Sequence, residues 1–115
     1  MPDPSHLLIA RVHGVAGRHE DLRAAADELA GATAAQDGCL GFDVLAQPAM
    51  PSELVLVTAW ASEADMRAHF RSPAYGRYVS AVTQLLARPS DPTIHRIADT
   101  VHPVADLSLE PERAS

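Results

Sequence analysis

The sequence predicts an α+β fold, a ferredoxin-like split βαβ arrangement in which a four-stranded antiparallel sheet carries its helices on one face. Segments of strand and helix character follow one another as strand, helix, strand, strand, helix pair, strand. Two crossover units that must be right-handed, interleaved around a hairpin, give one sheet of this kind. A length of 115 residues and an apolar content of 47% are typical of one soluble globular domain.

The first crossover unit occupies the N-terminal third of the chain. Residues 6–13, "HLLIARVH", form an apolar run of strand length that ends at Gly14. From Arg18 the period becomes helical, and its apolar stripe consists of Leu22, Ala25, Ala26, Leu29 and Thr33. Asp37-Gly38 ends this helix.

A hairpin is predicted for the middle of the chain. Residues 39–47, "CLGFDVLAQ", alternate between apolar and polar or small side chains and read as a half-buried strand. "PAMPS" gives a turn, and residues 53–60, "ELVLVTAW", read as the next strand.

The last crossover unit begins at Ser62, which is expected to cap a helix that ends before Pro73. A second helical stretch runs from Pro73 to Arg88-Pro89, and residues 93–101 read as the fourth strand. We therefore expect a domain over residues 1–102 and a C-terminal tail over 103–115, where no clear period remains.

The first and third strands are apolar on both faces. Leu7 and Ile9 alternate with Leu8 and Val12 in the first strand, and the third strand is apolar on both parities as well. Strands of this kind need cover on both faces, and the helices can cover only one. The sequence therefore predicts a homodimer in which the second face of the sheet packs against that of a symmetry copy.

Composition argues against several classes of partner. The net charge is −6, and the nine basic residues, all Arg, are scattered among acidic ones, so nucleic acid is not expected to bind. No window approaches the roughly 20 apolar residues of a membrane span, and the N-terminus lacks a basic leader, so we expect a cytoplasmic protein without membrane contact. The single cysteine, Cys39, excludes an internal disulfide and a thiolate metal cluster.

Three stretches carry a family resemblance. "DGCLGF" before the second strand, "VTAWASEADMRAHFRSPAYGRY" from the third strand into the helix pair, and "LLARP" before the last strand resemble the antibiotic biosynthesis monooxygenase family, which includes quinol monooxygenases. The resemblance implies a dimeric α/β barrel. It also implies a cofactor-independent enzyme, without flavin or metal, that uses molecular oxygen as co-substrate to oxidise an aromatic quinol, an anthrone or a polyketide-like phenol.

This chemistry requires a base, an apolar slot for rings and a donor to a developing oxyanion. His69 suits the base because an imidazole titrates near neutrality. Trp60 could stack on the ligand or donate its indole N–H to an oxyanion. The residues expected to shape the slot are Phe42, Leu56, Met66, Phe70, Tyr75 and Tyr78.

Structural alternatives accompany these assignments. His69 could be a partly solvated residue at a helix border, and Trp60 could plug the interior of the barrel. His13 and His95 could lie close together across the first and fourth strands, but two histidines are a weak metal signal, and no metal site is predicted. At the positions of Ala10 and His69 this sequence departs from the pattern of haem-degrading relatives, so haem degradation is not expected. A cyclase or isomerase of the same fold, or a small-ligand-binding dimer without turnover, remains an alternative to the oxygenase.

Overall fold

The computed structural model describes residues 2–103 and contains one four-stranded sheet and three helices. Along the chain the elements are β1 (His6–His13), α1 (His19–Thr33), β2 (Cys39–Gln47), β3 (Met50–Trp60), α2 (Glu63–Phe70), α3 (Pro73–Val82) and β4 (Asp91–Arg96). The strands lie in the order β2-β3-β1-β4, and every neighbouring pair is antiparallel. The predicted ferredoxin-like α+β fold is confirmed. Except for residue 103, the predicted tail lies outside the described residues.

The core lies between the sheet and the two longer helices. Its buried members are Val12, Leu22, Ala26, Leu54, Leu56, Val82 and Leu85. The apolar stripe of α1 faces the sheet as the helical period predicted, with Leu22 and Ala26 fully buried. On β3, alternate residues from Leu54 to Trp60 are buried under the helices, whereas Val55, Val57 and Ala59 between them stay half exposed on the other face. The helices therefore cover only one face of the sheet.

The hairpin between β2 and β3 is tighter than the sequence indicated. Gln47 pairs with Met50, so only Pro48 and Ala49 form the turn, and β3 begins three residues before the predicted start at Glu53. This early part of the strand is exposed or half exposed, and for that reason it carries no apolar alternation that could mark it as a strand.

The helix α3 ends at Val82, six residues before the predicted end at Arg88. After it, the chain returns to the sheet: the Val15 amide donates to the Leu85 carbonyl, and the Ala87 amide donates to the His13 carbonyl, both at 2.7 Å. Leu85 is buried although it is no longer helical, and this explains why the apolar period continued past the end of the helix.

The fourth strand covers Asp91–Arg96 instead of the predicted 93–101. Arg96 pairs with His6, the first residue of β1, so the ladder ends where its partner strand begins. Asp91 and Pro92 extend the strand at its start because they pair with Arg11 and Ala10.

Gly38 connects the start of β2 to the start of α2. Its φ of +76° is in the left-handed region that favours glycine, and a Cβ at this position would collide with the side chain of Asp65. The Gly38 carbonyl also accepts a hydrogen bond from the Ala61 amide at 2.8 Å. The loop that precedes β2 is therefore held directly against the beginning of α2.

None of the helices within residues 2–103 combines the length and the apolar character that crossing a membrane requires.

Candidate active site

A cavity of about 230 Å³ lies between the sheet and the helix pair, on the side of β1 and β4. Its walls consist of Leu8, Ala10, Val12, Leu29, Phe42, Leu56, Thr58, His69, Phe70, Tyr75, Tyr78, Ser90, Pro92 and Ile94. An apolar cavity of about 150 Å³ holds benzene, so this one has room for a ligand of one or two fused rings. Six of the eight predicted site residues line it: His69, Phe42, Leu56, Phe70, Tyr75 and Tyr78.

Ser72 sets the geometry of the helix pair that forms one wall. Its hydroxyl donates to the His69 carbonyl at 2.7 Å and accepts from the Tyr75 amide at 3.2 Å, so it joins the end of α2 to the start of α3. Pro73 occupies the first turn of α3, where the missing N–H costs no hydrogen bond. As a result, the rings of His69 and Tyr75 lie 5.2 Å apart at the wall of the cavity.

His69 is buried, with only 2% of its surface exposed, and is not the partly solvated helix-border residue of the structural alternative. Its ring lies 5.1 Å from that of Trp60 and 5.4 Å from that of Phe70, measured between centroids. Burial lowers the pKa of His69 below its ordinary value because water no longer solvates the imidazolium. At neutral pH the imidazole is therefore uncharged and can accept a proton.

Gln36 fixes which nitrogen of His69 accepts that proton. The Gln36 side-chain oxygen, Oε1, lies 3.1 Å from His69 Nδ1. Because an amide oxygen can only accept, Nδ1 carries the hydrogen, and the lone pair of the neutral ring lies on Nε2. The loop around Gln36 is itself held by two backbone hydrogen bonds, one to the Thr33 carbonyl at 2.9 Å and one from the Cys39 amide at 3.2 Å.

Tyr75 and Tyr78 line the cavity from α3. Burial raises the pKa of Tyr75, and burial together with the neighbouring Tyr75 raises the pKa of Tyr78 to about 12. Both phenols therefore stay protonated at neutral pH. Their rings lie 6.2 Å apart, measured between centroids, so the two side chains are neighbours along one wall.

Trp60 and Met66 are not among the residues that line this cavity. Trp60 is fully buried behind His69, and its Nε1 has no hydrogen-bond partner within residues 2–103. This position matches the alternative of a structural plug better than that of a ring contact or an oxyanion donor. Met66 contributes instead to a neighbouring groove, because it lies one turn away from His69 on α2.

Several residues that line the cavity or contact His69 could not be assigned from the sequence. Thr58 left one signal, since it is a polar residue at a buried position of an otherwise apolar strand, and its hydroxyl donates to the Leu8 carbonyl at 3.5 Å. No sequence pattern indicated a role for Gln36, because it is a loop residue 33 positions away from His69. Pro92 and Ile94 belong to a strand whose residues are all exposed, and such a strand carries no sign of a pocket.

His13 and His95 are not neighbours, so the juxtaposition considered from the sequence is wrong. His95 pairs with Leu7 near the start of β1, whereas His13 ends that strand. His13 Nδ1 lies 3.2 Å from the Glu53 carboxylate. Within residues 2–103 no group of three or more His, Cys, Asp or Glu side chains could hold a metal ion.

Comparison with known proteins identifies the family to which this chain, with its fold and its site, belongs. The family model described as "Antibiotic biosynthesis monooxygenase" matches residues 5–81. The chain belongs to this family, as the resemblance of its motifs indicated.

Its similarity to individual proteins agrees with this assignment. The chain is 36% identical over 87 residues, 76% of its own length and 85% of the relative, to "Putative monooxygenase Rv0793" of Mycobacterium tuberculosis. The solved structure of Rv0793 superposes with a TM-score of 0.77 at 32% identity and covers 83% of this chain and 96% of that one. A structure of a putative antibiotic biosynthesis monooxygenase from Deinococcus radiodurans has a TM-score of 0.80 over 87% of this chain and 99% of that one, and at 19% identity it supports the fold alone.

Proposed function

We propose that this chain is a cofactor-independent monooxygenase that oxidises an aromatic quinol or a polyketide-like phenol with molecular oxygen. One observation carries the proposal: a buried, neutral histidine lies in the wall of an apolar cavity, with its Nδ1 held by Gln36. Membership of a family described by its monooxygenases supports the same reaction class.

The reaction needs the substrate itself to become an electron donor. Ground-state oxygen is a triplet and reacts slowly with closed-shell phenols, but more readily with the electron-rich anion left when a proton is removed. In the proposed mechanism His69 Nε2 takes that proton as a general base. Oxidation of a quinol ring to a hydroxyquinone then consumes one O₂, which places one oxygen atom in the product and releases the other as water.

The remaining lining residues bind and orient the ring. Phe42, Leu56 and Phe70 present apolar surface from β2, β3 and α2. Exclusion of water strengthens every hydrogen bond made to a developing oxyanion. The protonated hydroxyls of Tyr75 and Tyr78 are the donors that we assign to this role.

We also propose that the active form is a homodimer associated through the uncovered face of the sheet. The centre of that face consists of Leu7, Ile9, Val55, Val57 and Ala59, all half exposed, and Leu45 beside them is 51% exposed. Polar residues at its edges, among them Asp43 on β2 and His95 on β4, complete the apolar centre and polar rim that are typical of an interface.

A substitution at the centre of this face tests the dimer. Val57→Lys places a charge in the middle of the apolar patch and should shift the protein to monomers, because an unpaired buried charge costs several kcal/mol. Sedimentation of the wild type and the variant at low micromolar concentration measures this. A wild type that sediments as a stable monomer would contradict the dimer.

The reaction class is tested with wild-type protein and a panel of dihydroxynaphthalenes. A monooxygenase consumes one O₂ for each quinol oxidised and forms no product under anaerobic conditions. Product formation without oxygen would replace the proposal with a cyclase or isomerase in which His69 moves a proton. Stoichiometric binding without turnover would replace it with a ligand-binding dimer.

A further inference from the structure

A charged groove adjoins the apolar cavity. It is lined by His6, Glu63, Met66, Arg67, Phe70, Ile94 and Arg96. Phe70 and Ile94 line both the groove and the cavity, so the two spaces share a wall at the β4 side of the molecule. Ile94 is 53% exposed, and the cavity therefore approaches the surface where the groove begins.

The charges in this groove do not cancel. Arg67 is paired with Glu63 at 2.6 Å, one turn apart on α2, and the hydrogen bond from Arg67 is the main cause that lowers the pKa of Glu63. This pair is internally neutral. Arg96 has no carboxylate within 4.0 Å among residues 2–103 and attracts Glu63 only at longer range, so Glu63, Arg67 and Arg96 together leave the groove with one net positive charge.

A second group in the groove lacks a partner. His6 is 7% exposed, and its Nδ1 lies 2.7 Å from the Ser5 hydroxyl. Its Nε2 is buried and has no hydrogen-bond partner within the part of the chain that the structure describes, since the nearest carboxylate oxygen, on Glu63, is 3.8 Å away. A buried polar nitrogen that no protein group satisfies is able to hydrogen-bond to a polar group bound in the groove.

The backbone places these groups beside one another. His6 and Arg96 are paired across β1 and β4. Arg96 follows Ile94 by two residues, so both lie on the same face of the sheet, about 7 Å apart along the strand. A ring bound against Ile94 therefore has a guanidinium within reach of a short substituent.

We propose that this groove is a carboxylate subsite and that the natural ligand is an aromatic acid, with its ring in the cavity and its carboxylate on Arg96. The proposal rests on the proposed function in one respect, namely that the cavity holds the ring. The planar guanidinium matches a carboxylate in a bidentate pair, which makes Arg96 the residue that determines this specificity. The paired Glu63 and Arg67 add no net charge to oppose it.

Binding of a matched pair of compounds tests the subsite without any oxygen chemistry. We would titrate 2-naphthoate and its neutral analogue 2-naphthylmethanol into wild-type protein and into Arg96→Gln by calorimetry at low ionic strength. The wild type should bind the acid about tenfold more tightly than the alcohol, and Arg96→Gln should bind the two equally with its affinity for the alcohol unchanged. Arg23→Gln, on α1 and outside both spaces, is the control and should keep the preference.

A second variant tests the sign of the electrostatic effect. Glu63→Gln removes the negative charge and releases Arg67, so it should strengthen the preference for the acid, and added salt should weaken that preference both in the wild type and in Glu63→Gln. The proposal is overturned if the wild type does not discriminate or if Arg96→Gln retains the preference. Oxygen uptake on neutral dihydroxynaphthalenes can persist in either case, which separates failure of the subsite from failure of the monooxygenase.

Discussion

The link between Gln36 and His69 leads to a prediction about pH. Replacing Gln36 with Glu keeps an oxygen acceptor at Nδ1 but turns it into a carboxylate. Wild-type kcat/KM should stay constant through neutrality and fall only in acid, because burial lowers the pKa of His69 and protonation abolishes the base. In Gln36→Glu the carboxylate stabilises the imidazolium, raises the pKa of His69 and moves this acid limb toward higher pH.

The size of the movement follows from the distance. Gln36 Oε1 lies 3.1 Å from His69 Nδ1, so a carboxylate there would be roughly 4 Å from the centre of the imidazolium charge. At an effective dielectric constant of about 20, two such charges attract by about 4 kcal/mol. Part of this offsets the desolvation of the half-buried Glu, and we expect the limb to move up by about one to two pH units.

The assay is the rate of oxygen uptake at low substrate concentration, measured from pH 5 to pH 9. At pH 6 the Gln36→Glu variant should be slower than the wild type by roughly threefold to a few tens of fold, and at pH 9 it should recover most of the wild-type rate. Gln36→Met is the matched control: it leaves Nδ1 without an acceptor, so the ring proton can move to Nε2 and the rate should fall at every pH.

A merely structural role for Gln36 would give a different result. Both variants would then change the rate or the stability by similar factors, and the acid limb would stay in place. An unmoved limb in Gln36→Glu would refute the argument that the hydrogen bond to Nδ1 defines Nε2 as the base.

Two further predictions concern stability, measured by urea unfolding. Trp60→Phe should lower the free energy of unfolding by about 1–2 kcal/mol through lost packing alone, because Nε1 has no hydrogen bond to lose within residues 2–103. The rate of oxygen uptake should stay within about threefold of the wild-type rate. A stable but inactive variant would show that Trp60 belongs to the site. Gly38→Ala should lower the free energy of unfolding by about 2 kcal/mol or more, because φ at Gly38 is +76° and Asp65 occupies the space of the new Cβ. Gly31→Ala on α1, where the Cβ would enter open space, should raise the free energy of unfolding by about 0.5–1 kcal/mol. Equal effects of the two glycine substitutions would contradict this account of the loop.

The parts of the fold that periodicity controls were predictable from the sequence. The stripe from Leu22 to Thr33 and the strand from Cys39 to Gln47 were placed correctly because one face of each packs toward the core, fully buried in α1 and partly buried at Phe42 and Val44 of β2. Errors arose where a tertiary contact decides the boundary. The end of α3 depends on hydrogen bonds from residues 85–87 to the end of β1, and the end of β4 depends on where β1 begins.

The residue types of the site were predictable from the sequence, but how deeply each side chain is buried was not. Aromatic residues and His69 close together in sequence indicated a ring-binding cavity, and most of them line one. Whether Trp60 lies in the wall or behind it depends on how α2 packs on β3, and no periodic pattern encodes that. Gln36 and Arg96 reach the site through the α1–β2 loop and an edge strand, where single polar residues look like ordinary surface.

The most direct test of the proposed chemistry is oxygen uptake by His69→Gln on a dihydroxynaphthalene that the wild type oxidises. Because His69 is buried, its replacement should destabilise the protein more than replacement of the partly solvated histidine considered from the sequence. The fraction of folded protein is therefore measured together with the rate. His102→Gln, whose side chain is 75% exposed and lines neither the cavity nor the groove, is the control. We predict that folded His69→Gln is slower by about 10²-fold or more while His102→Gln is unchanged; a folded His69→Gln protein with the wild-type rate would contradict the assignment of His69 as the base.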